Sequence, residues 1–199
     1  MPEIYTVNKI TYGNFTDRGS KFTGYIHPTD NLDIYRQTLK EYKLNHPKAC
    51  HVCSAYRINL HNRIDEYASD DGEPSGSAGQ PILGVLKKNK LVNVAIYIIR
   101  IYGGVNLGIP GLINAYRTIS DKTLDYARKI KWIEMAQITI NYQYEQAKII
   151  ELLISKYDIS IDKQEFQSDI TAIINLQKDY LEIFKSEICN MSNNSIEVY

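Results

Sequence analysis

The stretch VNVAIYIIRIYGGVNLGIPGLINAY, residues 92–116, predicts a strand, a glycine loop and the start of a helix. Residues 92–99 are apolar on both faces and rich in Val and Ile, which favours a central strand covered on both sides. The glycine loop that follows contains Gly103, Gly104, Gly108 and Gly111. The helix is indicated by apolar residues at helical spacing, namely Leu112, Ala115, Tyr116 and Ile119.

A glycine loop that leads into a helix suits an anionic ligand. Glycine allows a close backbone approach, and a helix start presents free N–H groups at the positive end of the helix dipole. Arg100 and Tyr102 lie directly before the loop. The same glycines also suit a tight turn with close packing, and the spacing matches neither the phosphate loop nor the dinucleotide motif. Both interpretations therefore stay open.

The composition is that of a globular chain of 199 residues, 44% of them hydrophobic. No apolar run approaches the roughly 20 residues of a membrane span, and the N-terminus lacks the shape of a signal peptide. Three cysteines without regular spacing fit a reducing compartment. We therefore expect a cytoplasmic protein that does not contact a membrane.

Charge is distributed unevenly along the chain. Residues 1–128 carry sixteen Lys and Arg against twelve Asp and Glu, whereas residues 129–199 carry seven against eleven. All seven arginines lie in the first part. Any contact with phosphate or nucleic acid is expected there, although the excess is far below that of a strongly basic surface.

The pattern of the first part mixes strands and helices. Its predicted elements are strands at 3–12 and 20–27 around a turn at 14–19, a helix from Asp30 to His46, strands at 51–59 and 63–68 around a turn at 60–62, and a helix at 81–88. Before that last helix lies a stretch of three acids, three glycines and three serines, residues 69–79, which we call the acidic loop.

From Trp132 onward the pattern changes to β-α-β-β-α-β. Apolar and polar residues alternate over 136–142 and again over 170–176, which predicts half-buried strands. This order is the ferredoxin-like arrangement. We place the domain boundary at the charged run RKIK, residues 128–131, and expect an α+β protein with domains at 1–128 and 132–199.

Two reactive side chains, His51 and Cys53, lie on one predicted strand. They would act as a base and a nucleophile if a nearby base or positive dipole stabilised the thiolate. Cys50 and His46 add a zinc-like spacing, but a second pair of ligands is absent. A satisfied polar pair in the core or in a pocket wall is the plainer interpretation, and no metal or other cofactor is expected.

The acidic loop offers a second kind of chemistry. Asp70, Asp71 and Glu73 supply the carboxylate oxygens that Mg²⁺ prefers, although their spacing is not that of an EF-hand. Acids before a helix also interact favourably with its dipole, and Ser75 or Ser77 would serve as an N-cap. Because two glycine-rich loops both open helices, we expect them to share one polar pocket.

Several stretches resemble the IMPACT family and its YigZ-like bacterial members. They are Lys21-Phe22, HPKA at 46–49, HVCSAYR at 51–57, SDDGEPSGSAGQPI at 69–82 and RIYGGVNLGIPGLINAY at 100–116. The resemblance implies a first domain like the second domain of a ribosomal protein, as in domain IV of elongation factor G. It also implies a ferredoxin-like second domain similar to domain V of that factor.

The resemblance further implies a translation regulator that binds RNA, the ribosome or a translation-related protein through the first domain. The residues expected to contact a ligand or anion are Arg57, Ser75, Gly76, Arg100, Tyr102, Gly103, Gly104, Gly108, Gly111 and Tyr116. The chain departs from the family where relatives carry Lys at the place of Asn106 and Arg at that of Asn114, which weakens binding to a polyanion. The alternative is a small hydrolase or phosphoryl-transfer enzyme that uses His51, Cys53 and the acidic loop.

Overall fold

The computed structural model describes residues 3–60 and 63–199. The first part of the chain contains β1 (Tyr5–Val7), β2 (Thr11–Asp17), β3 (Ser20–Pro28), α1 (Leu32–Asn45), β4 (His51–Leu60), β5 (Arg63–Ser69), α2 (Gly79–Lys88), β6 (Val94–Ile101), α3 (Gly108–Asp125) and β7 (Lys129–Lys131). The second contains β8 (Met135–Tyr142), α4 (Ala147–Tyr157), β9 (Ser160–Phe166), β10 (Ile170–Gln177), α5 (Leu181–Ser192) and β11 (Glu197–Val198). No described helix combines the length and apolar composition needed to span a membrane.

The chain divides into two compact units between Trp132 and Ile133. The RKIK run, expected as the boundary, belongs to the first unit because its last three residues form β7, which pairs antiparallel with β1. The charged side chains of β7 are exposed, so only its backbone serves the pairing. Backbone pairing with β1 thus assigns this charged run to the first unit.

The first unit is built on a five-stranded antiparallel sheet of order β2-β3-β6-β4-β5. Strand β6 lies at its centre, as its apolar pattern predicts, and seven of its eight residues are buried. One face of the sheet packs against α2 and α3 around residues such as Ile96, Ile98 and Tyr116. The other face packs against α1, whose Tyr35 is buried beside Tyr97. Leu32, Leu39 and Tyr42 of α1 are partly buried against the same cluster.

The first hairpin is tighter than the sequence indicated. Its turn is Arg18 and Gly19 alone, with φ of 45° and 81°, and β2 continues through Asp17 instead of ending before a turn at 14–19. Two positive φ values at a two-residue loop are those of a type I′ turn, which matches the twist of the flanking strands. Because β2 is rich in polar residues, its sequence does not show the apolar pattern of a strand.

Two other boundaries differ in detail. Helix α1 is capped by Asn31, whose Oδ1 accepts a hydrogen bond of 2.9 Å from the backbone N–H of Ile34, and not by Asp30. Helix α2 begins at Gly79 instead of residue 81. Strands β4 and β5 pair as predicted, but residues 61 and 62 of the expected turn between them lie outside the described residues.

The second unit has a four-stranded antiparallel sheet of order β11-β8-β10-β9, with elements in the order β-α-β-β-α-β. The buried side chains of β10, Ile170, Ala172, Ile174 and Leu176, alternate along the strand. They pack with the buried faces of α4 and α5 in a core separate from that of the first unit. Alternation in the sequence therefore identified the buried face of this sheet.

Gly103 and Gly104 serve different purposes in the glycine loop. A Cβ on Gly103 would lie 1.9 Å from the backbone carbon of Gly19 and 2.1 Å from the nitrogen of Ser20. A Cβ on Gly104 would meet no atom within 4 Å, although its φ is 87°. The first glycine thus allows the loop to touch the β2–β3 turn, and the second allows a left-handed backbone.

We predict that Gly103→Ala lowers the free energy of unfolding by about 3 kcal/mol, because backbone must move to admit the methyl group. Gly104→Ala should cost about 1 kcal/mol, the strain of a left-handed alanine. Urea denaturation of both variants measures the difference. Equal losses would contradict the close approach of Gly103 to the hairpin.

Candidate functional site

The acidic loop and the glycine loop line one cleft of about 470 Å³ in the first unit. The acidic loop contributes Gly72, Glu73 and Pro74, and strands β4 and β6 contribute His51 and Arg100. The remaining lining residues come from the glycine loop and the start of α3: Tyr102, Asn106, Leu107, Gly108, Ile109 and Leu112. Tertiary packing brings together residues that lie more than fifty positions apart in the sequence.

Asp70 holds the acidic loop in shape by capping α2. Its carboxylate accepts hydrogen bonds from the backbone N–H groups of Gly76, Ala78 and Gly79 at 2.8–2.9 Å. Burial raises the pKa of Asp70, but these three donors together lower it below its ordinary value. Asp70 therefore performs the capping that the sequence assigned to Ser75 or Ser77. Its carboxylate stabilises the fold above the ordinary pKa of aspartate, and this contribution is lost as the pH falls through the lowered pKa.

Asp71 fixes the orientation of His51. The Asp71 residue has a left-handed φ of 44°, its side chain accepts from the backbone N–H of Val52 at 2.7 Å, and it forms an ion pair with Lys43. The carbonyl oxygen of Asp71 lies 2.8 Å from Nδ1 of His51. A carbonyl only accepts hydrogen bonds, so Nδ1 carries the proton in the neutral imidazole and Nε2 holds the lone pair.

Glu73 is the centre of a buried polar network behind the cleft. Its Oε1 accepts a hydrogen bond from Nη1 of Arg100 at 2.6 Å and another from the hydroxyl of Tyr116 at 2.8 Å. The side chains of Arg100 and Glu73 are only 7% and 3% exposed. Loss of either partner of such a buried ion pair destabilises the fold, because the remaining partner is left as an uncompensated buried charge.

Arg100 is also held from its other sides. Its Nη2 lies 3.4 Å from Oγ of Ser20, which accepts a second hydrogen bond from the backbone N–H of Gly103. Its guanidinium carbon lies 5.6 Å from the ring centres of both Phe22 and Tyr102. The Nε of Arg100 is buried and has no hydrogen-bond partner among the described residues. Arg100 therefore forms part of the cleft wall while its charge is paired with Glu73 inside the protein.

Cys53 lies behind this wall and does not line the cleft. Its sulfur is 3.0 Å from the carbonyl oxygen of Asp70 and 3.2 Å from the hydroxyl of Tyr116. Burial raises the pKa of the Cys53 thiol far above its ordinary value, and the nearby carboxylates of Glu73, Asp71 and Asp70 raise it further. A nucleophilic cysteine needs the opposite shift, so this environment disfavours a Cys53 thiolate paired with His51.

The start of α3 is the open end of the cleft. Its N-cap, Leu107, makes no side-chain capping bond, and the first turn holds no acidic residue. Gly108, with φ of 69°, lines the cleft beside Ile109. The first N–H groups of a helix have no partner within it. In contrast to α2, which Asp70 caps, α3 begins at the cleft without a capping side chain from residues 3–60 or 63–199, so the positive end of its dipole lies there.

The three acids of the loop do not converge on a metal ion. Asp70 faces the backbone of α2, Asp71 faces Lys43 and β4, and Glu73 faces Arg100 and Tyr116. Within residues 3–60 and 63–199, no group of three His, Cys, Asp or Glu side chains is arranged to hold a metal. These internal partners disfavour the magnesium interpretation of the acidic loop, because each carboxylate already has a partner inside the protein.

Other predicted ligand residues lie away from the cleft. Arg57 forms an ion pair of 2.9 Å with Glu66 and donates to the carbonyl of Leu91. Ser75 is exposed and does not line the cleft, and Gly76 lines a separate groove between α2 and α3 beside Arg117. The sequence pattern did not indicate Ser20 and Lys43 as site residues. They reach the site because the β2–β3 turn and the end of α1 lie beside it.

Comparison with known proteins identifies relatives over most of the chain. The model of the Impact N-terminal domain family matches residues 18–124. An IMPACT family member of Haemophilus influenzae is 30% identical over 90% of this chain and 87% of its own length. The IMPACT family member YigZ of Escherichia coli is 26% identical over 90% of this chain and 88% of its own.

One solved structure has a similar fold throughout. A crystal structure described only as a hypothetical protein covers 100% of this chain, which in turn covers 97% of that one. The TM-score is 0.73 and the sequence identity is 24%. At this identity the likeness concerns the fold alone.

We predict that Glu73→Gln lowers the free energy of unfolding by about 3 kcal/mol, because Arg100 stays buried without a counter-charge. Tyr116→Phe should cost about 2 kcal/mol, because it removes a hydrogen bond to the charged Glu73 and the acceptor of the Cys53 thiol. Glu66→Gln is the control, since this partly exposed pair is worth about 1 kcal/mol or less. Urea denaturation gives all three values, and similar losses for Glu73→Gln and Glu66→Gln would contradict the buried network.

We predict that iodoacetamide at pH 8 modifies exposed Cys50 in the native protein and leaves Cys53 unmodified until the chain unfolds. The reason is that burial both covers the Cys53 sulfur and keeps it protonated. Peptide mass spectrometry after timed labelling reports each cysteine separately, with Cys50 as the internal standard. Native labelling of Cys53 at the rate of Cys50 would restore the nucleophile hypothesis.

Proposed function

Because this chain belongs to the IMPACT family, we propose that it is a non-enzymatic regulator linked to translation, which binds RNA of the translation apparatus through its first unit. The cleft shared by the acidic loop and the glycine loop is the observation that carries the proposal. The resemblance to the family supplies the link to translation. On this reading the protein acts in the cytoplasm and needs no cofactor.

The domain assignments belong to the same proposal. The first unit corresponds to the ribosomal-protein-like domain that also resembles domain IV of elongation factor G. The second corresponds to the ferredoxin-like domain that resembles domain V. The antiparallel order β11-β8-β10-β9 with two helices supports the second assignment.

A phosphate group is the ligand part that best suits the open end of the cleft. The uncapped start of α3 offers free backbone N–H groups and the positive end of its dipole. Arg117 is exposed on the same helix and adds a positive charge in the neighbouring groove between α2 and α3. The buried Glu73–Arg100 pair keeps the walls fixed, so little conformational entropy is lost when a ligand binds.

The contact should be weak. Arg57 and Arg100 form internal ion pairs and are therefore not available to neutralise the phosphates of an RNA. Asn106 and Asn114 are both exposed, and the resemblance to the family implies Lys and Arg at these two positions. Each lost phosphate contact reduces the counterion release that drives polyanion binding.

The hydrolase or phosphoryl-transfer alternative has less support. Cys53 is a buried, protonated thiol, and the three acids of the loop are occupied by internal partners. His51 keeps Nε2 as an acceptor at the cleft, but neither a nucleophile nor a metal site accompanies it there. General-base chemistry by a lone histidine requires a second reacting group.

We predict weak, strongly salt-dependent binding of a labelled structured RNA by the native chain. The double variant Asn106→Lys/Asn114→Arg should bind about tenfold more tightly at low salt, with a steeper salt slope by roughly two units if both charges meet phosphates. Arg117→Ala should weaken binding. Arg100 is unsuitable as a probe because its loss breaks the buried pair.

The matched control adds the same two charges to exposed sites on α5 of the second unit, as Ser186→Arg/Asn190→Lys. Fluorescence anisotropy at several salt concentrations measures all variants. Equal tightening by the control would mean that the charges act without the cleft. Salt-independent binding, or no binding by the first double variant, would overturn the RNA proposal in favour of a protein partner.

A further inference from the structure

Nε2 of His51 is an oriented hydrogen-bond acceptor in the wall of the cleft. The carbonyl oxygen of Asp71 lies 2.8 Å from Nδ1 and keeps the proton there, so the lone pair of the neutral ring is on Nε2. Gly72 packs beside the same ring, since a Cβ on it would lie 3.4 Å from both Cε1 and Nδ1. Within residues 3–60 and 63–199 no side chain or backbone group donates to Nε2. A ligand in the cleft therefore meets an acceptor that an O–H or N–H group would satisfy.

A phosphate group by itself does not satisfy this acceptor. The oxygens of a phosphodiester only accept hydrogen bonds, and they suit the start of α3, which lines another part of the cleft. Arg100 makes the cleft wall more favourable for an anion. It lines the cleft, its side chain is 7% exposed, and its buried Nε has no acceptor in the part of the chain that the structure describes. The cleft thus suits a ligand that combines an anion with a hydrogen-bond donor.

Tyr102 adds an aromatic surface to the same cleft. It is 44% exposed, and its hydroxyl donates to Oδ1 of Asn106 at 3.1 Å, which restrains the ring. The guanidinium carbon of Arg100 lies 5.6 Å from the centre of this ring. Proteins stack unpaired bases on exposed aromatic rings of this kind. The cleft therefore offers separate contacts for a base, a phosphate and a donor group.

A ribonucleotide carries these three groups together. Its 2′-hydroxyl donates and accepts hydrogen bonds, and deoxyribose lacks this group. The cleft volume of about 470 Å³ lies within the range of pockets that hold small molecules, which is enough for one nucleotide. A paired base is covered by its neighbours in the stack. An unpaired nucleotide, in contrast, can present base, sugar and phosphate to one cleft.

We propose that the cleft binds one unpaired ribonucleotide and distinguishes RNA from DNA through His51. The ribose 2′-hydroxyl donates to Nε2 of His51, the base stacks on Tyr102, and the phosphate lies at the start of α3. This inference rests on the proposed binding of RNA. It adds which part of the RNA is recognised and which side chain recognises the sugar.

Three hairpin RNAs test the role of the 2′-hydroxyl. They share one RNA stem, so the duplex is the same in all, and their loop nucleotides carry a hydroxyl, a hydrogen or a fluorine at the 2′ position. Fluorine cannot donate a hydrogen bond but keeps the sugar pucker of RNA. Fluorescence anisotropy at about pH 8, which favours neutral histidine, should show about fivefold tighter binding of the hydroxyl loop than of the other two. This factor corresponds to one hydrogen bond.

The outcomes separate this inference from the proposed function. Equal binding of the three loops would overturn the inference and leave RNA binding intact. Equally tight binding of the hydroxyl and fluorine loops would also overturn it, because the sugar pucker would then explain the preference. If none of the hairpins binds, the proposed function fails and the inference fails with it.

Substitutions at His51 test whether its ring is the acceptor. His51→Phe keeps a ring without an acceptor, so the preference for the hydroxyl loop should fall to about one. His51→Gln places an amide oxygen near the position of Nε2 and should recover part of the preference. His46→Phe is the matched control and should keep it, because Nδ1 of His46 also lies beside a carbonyl, that of Tyr42, but His46 does not line the cleft. An unchanged preference in His51→Phe would overturn the inference.

Tyr102→Leu separates stacking of the base from recognition of the sugar. It should weaken binding of all three hairpins by about tenfold, because the stacked base loses its aromatic partner. The ratio between the hydroxyl and fluorine loops should stay the same. Thermal melts of every variant check that the fold is kept. Loss of this ratio in Tyr102→Leu to the same extent as in His51→Phe would contradict the assignment of the 2′-hydroxyl to His51.

Discussion

The carboxylate of Glu73 is the buried charge on which the polar layer of the first unit depends. It receives Arg100 from the central strand β6 and Tyr116 from α3, and Tyr116 in turn meets Cys53 of β4. A single side chain from a loop thus connects three regular elements. The pair gives little net stability over an apolar replacement, but it allows few alternative arrangements because any movement would leave a charge unpaired in a low dielectric.

This network explains why the cleft has fixed walls and why its chemistry favours binding. Burial raises the pKa of the Cys53 thiol and the carboxylate of Glu73 raises it further, while Asp70 is used to cap α2. Polar groups that look reactive in the sequence are therefore bound to partners inside the protein. Among the described groups that line the cleft, the start of α3 and Nε2 of His51 suit a ligand that accepts and donates a few hydrogen bonds.

The β2–β3 turn connects the cleft to the edge of the sheet. Gly103 of the glycine loop touches Gly19 in this turn, and Ser20 beside it accepts hydrogen bonds from Gly103 and Arg100. The turn also sets the register of β2 and thereby decides which backbone groups face outward.

The sequence by itself determined the elements whose signal is local. A continuous Val and Ile run identified β6 as central, and alternation identified the buried face of β10, because burial on two faces or one face leaves a direct trace in residue order. The sharing of one cleft by two glycine-rich loops also followed from their composition.

Only the tertiary structure decided which partner each polar group takes. Asp70 caps a helix eight residues away, Arg100 pairs with Glu73 across 27 residues, and Gly103 meets a turn 83 residues earlier. Sequence patterns carry no record of such pairings, since a carboxylate or a glycine is compatible with many neighbours and packing selects among them.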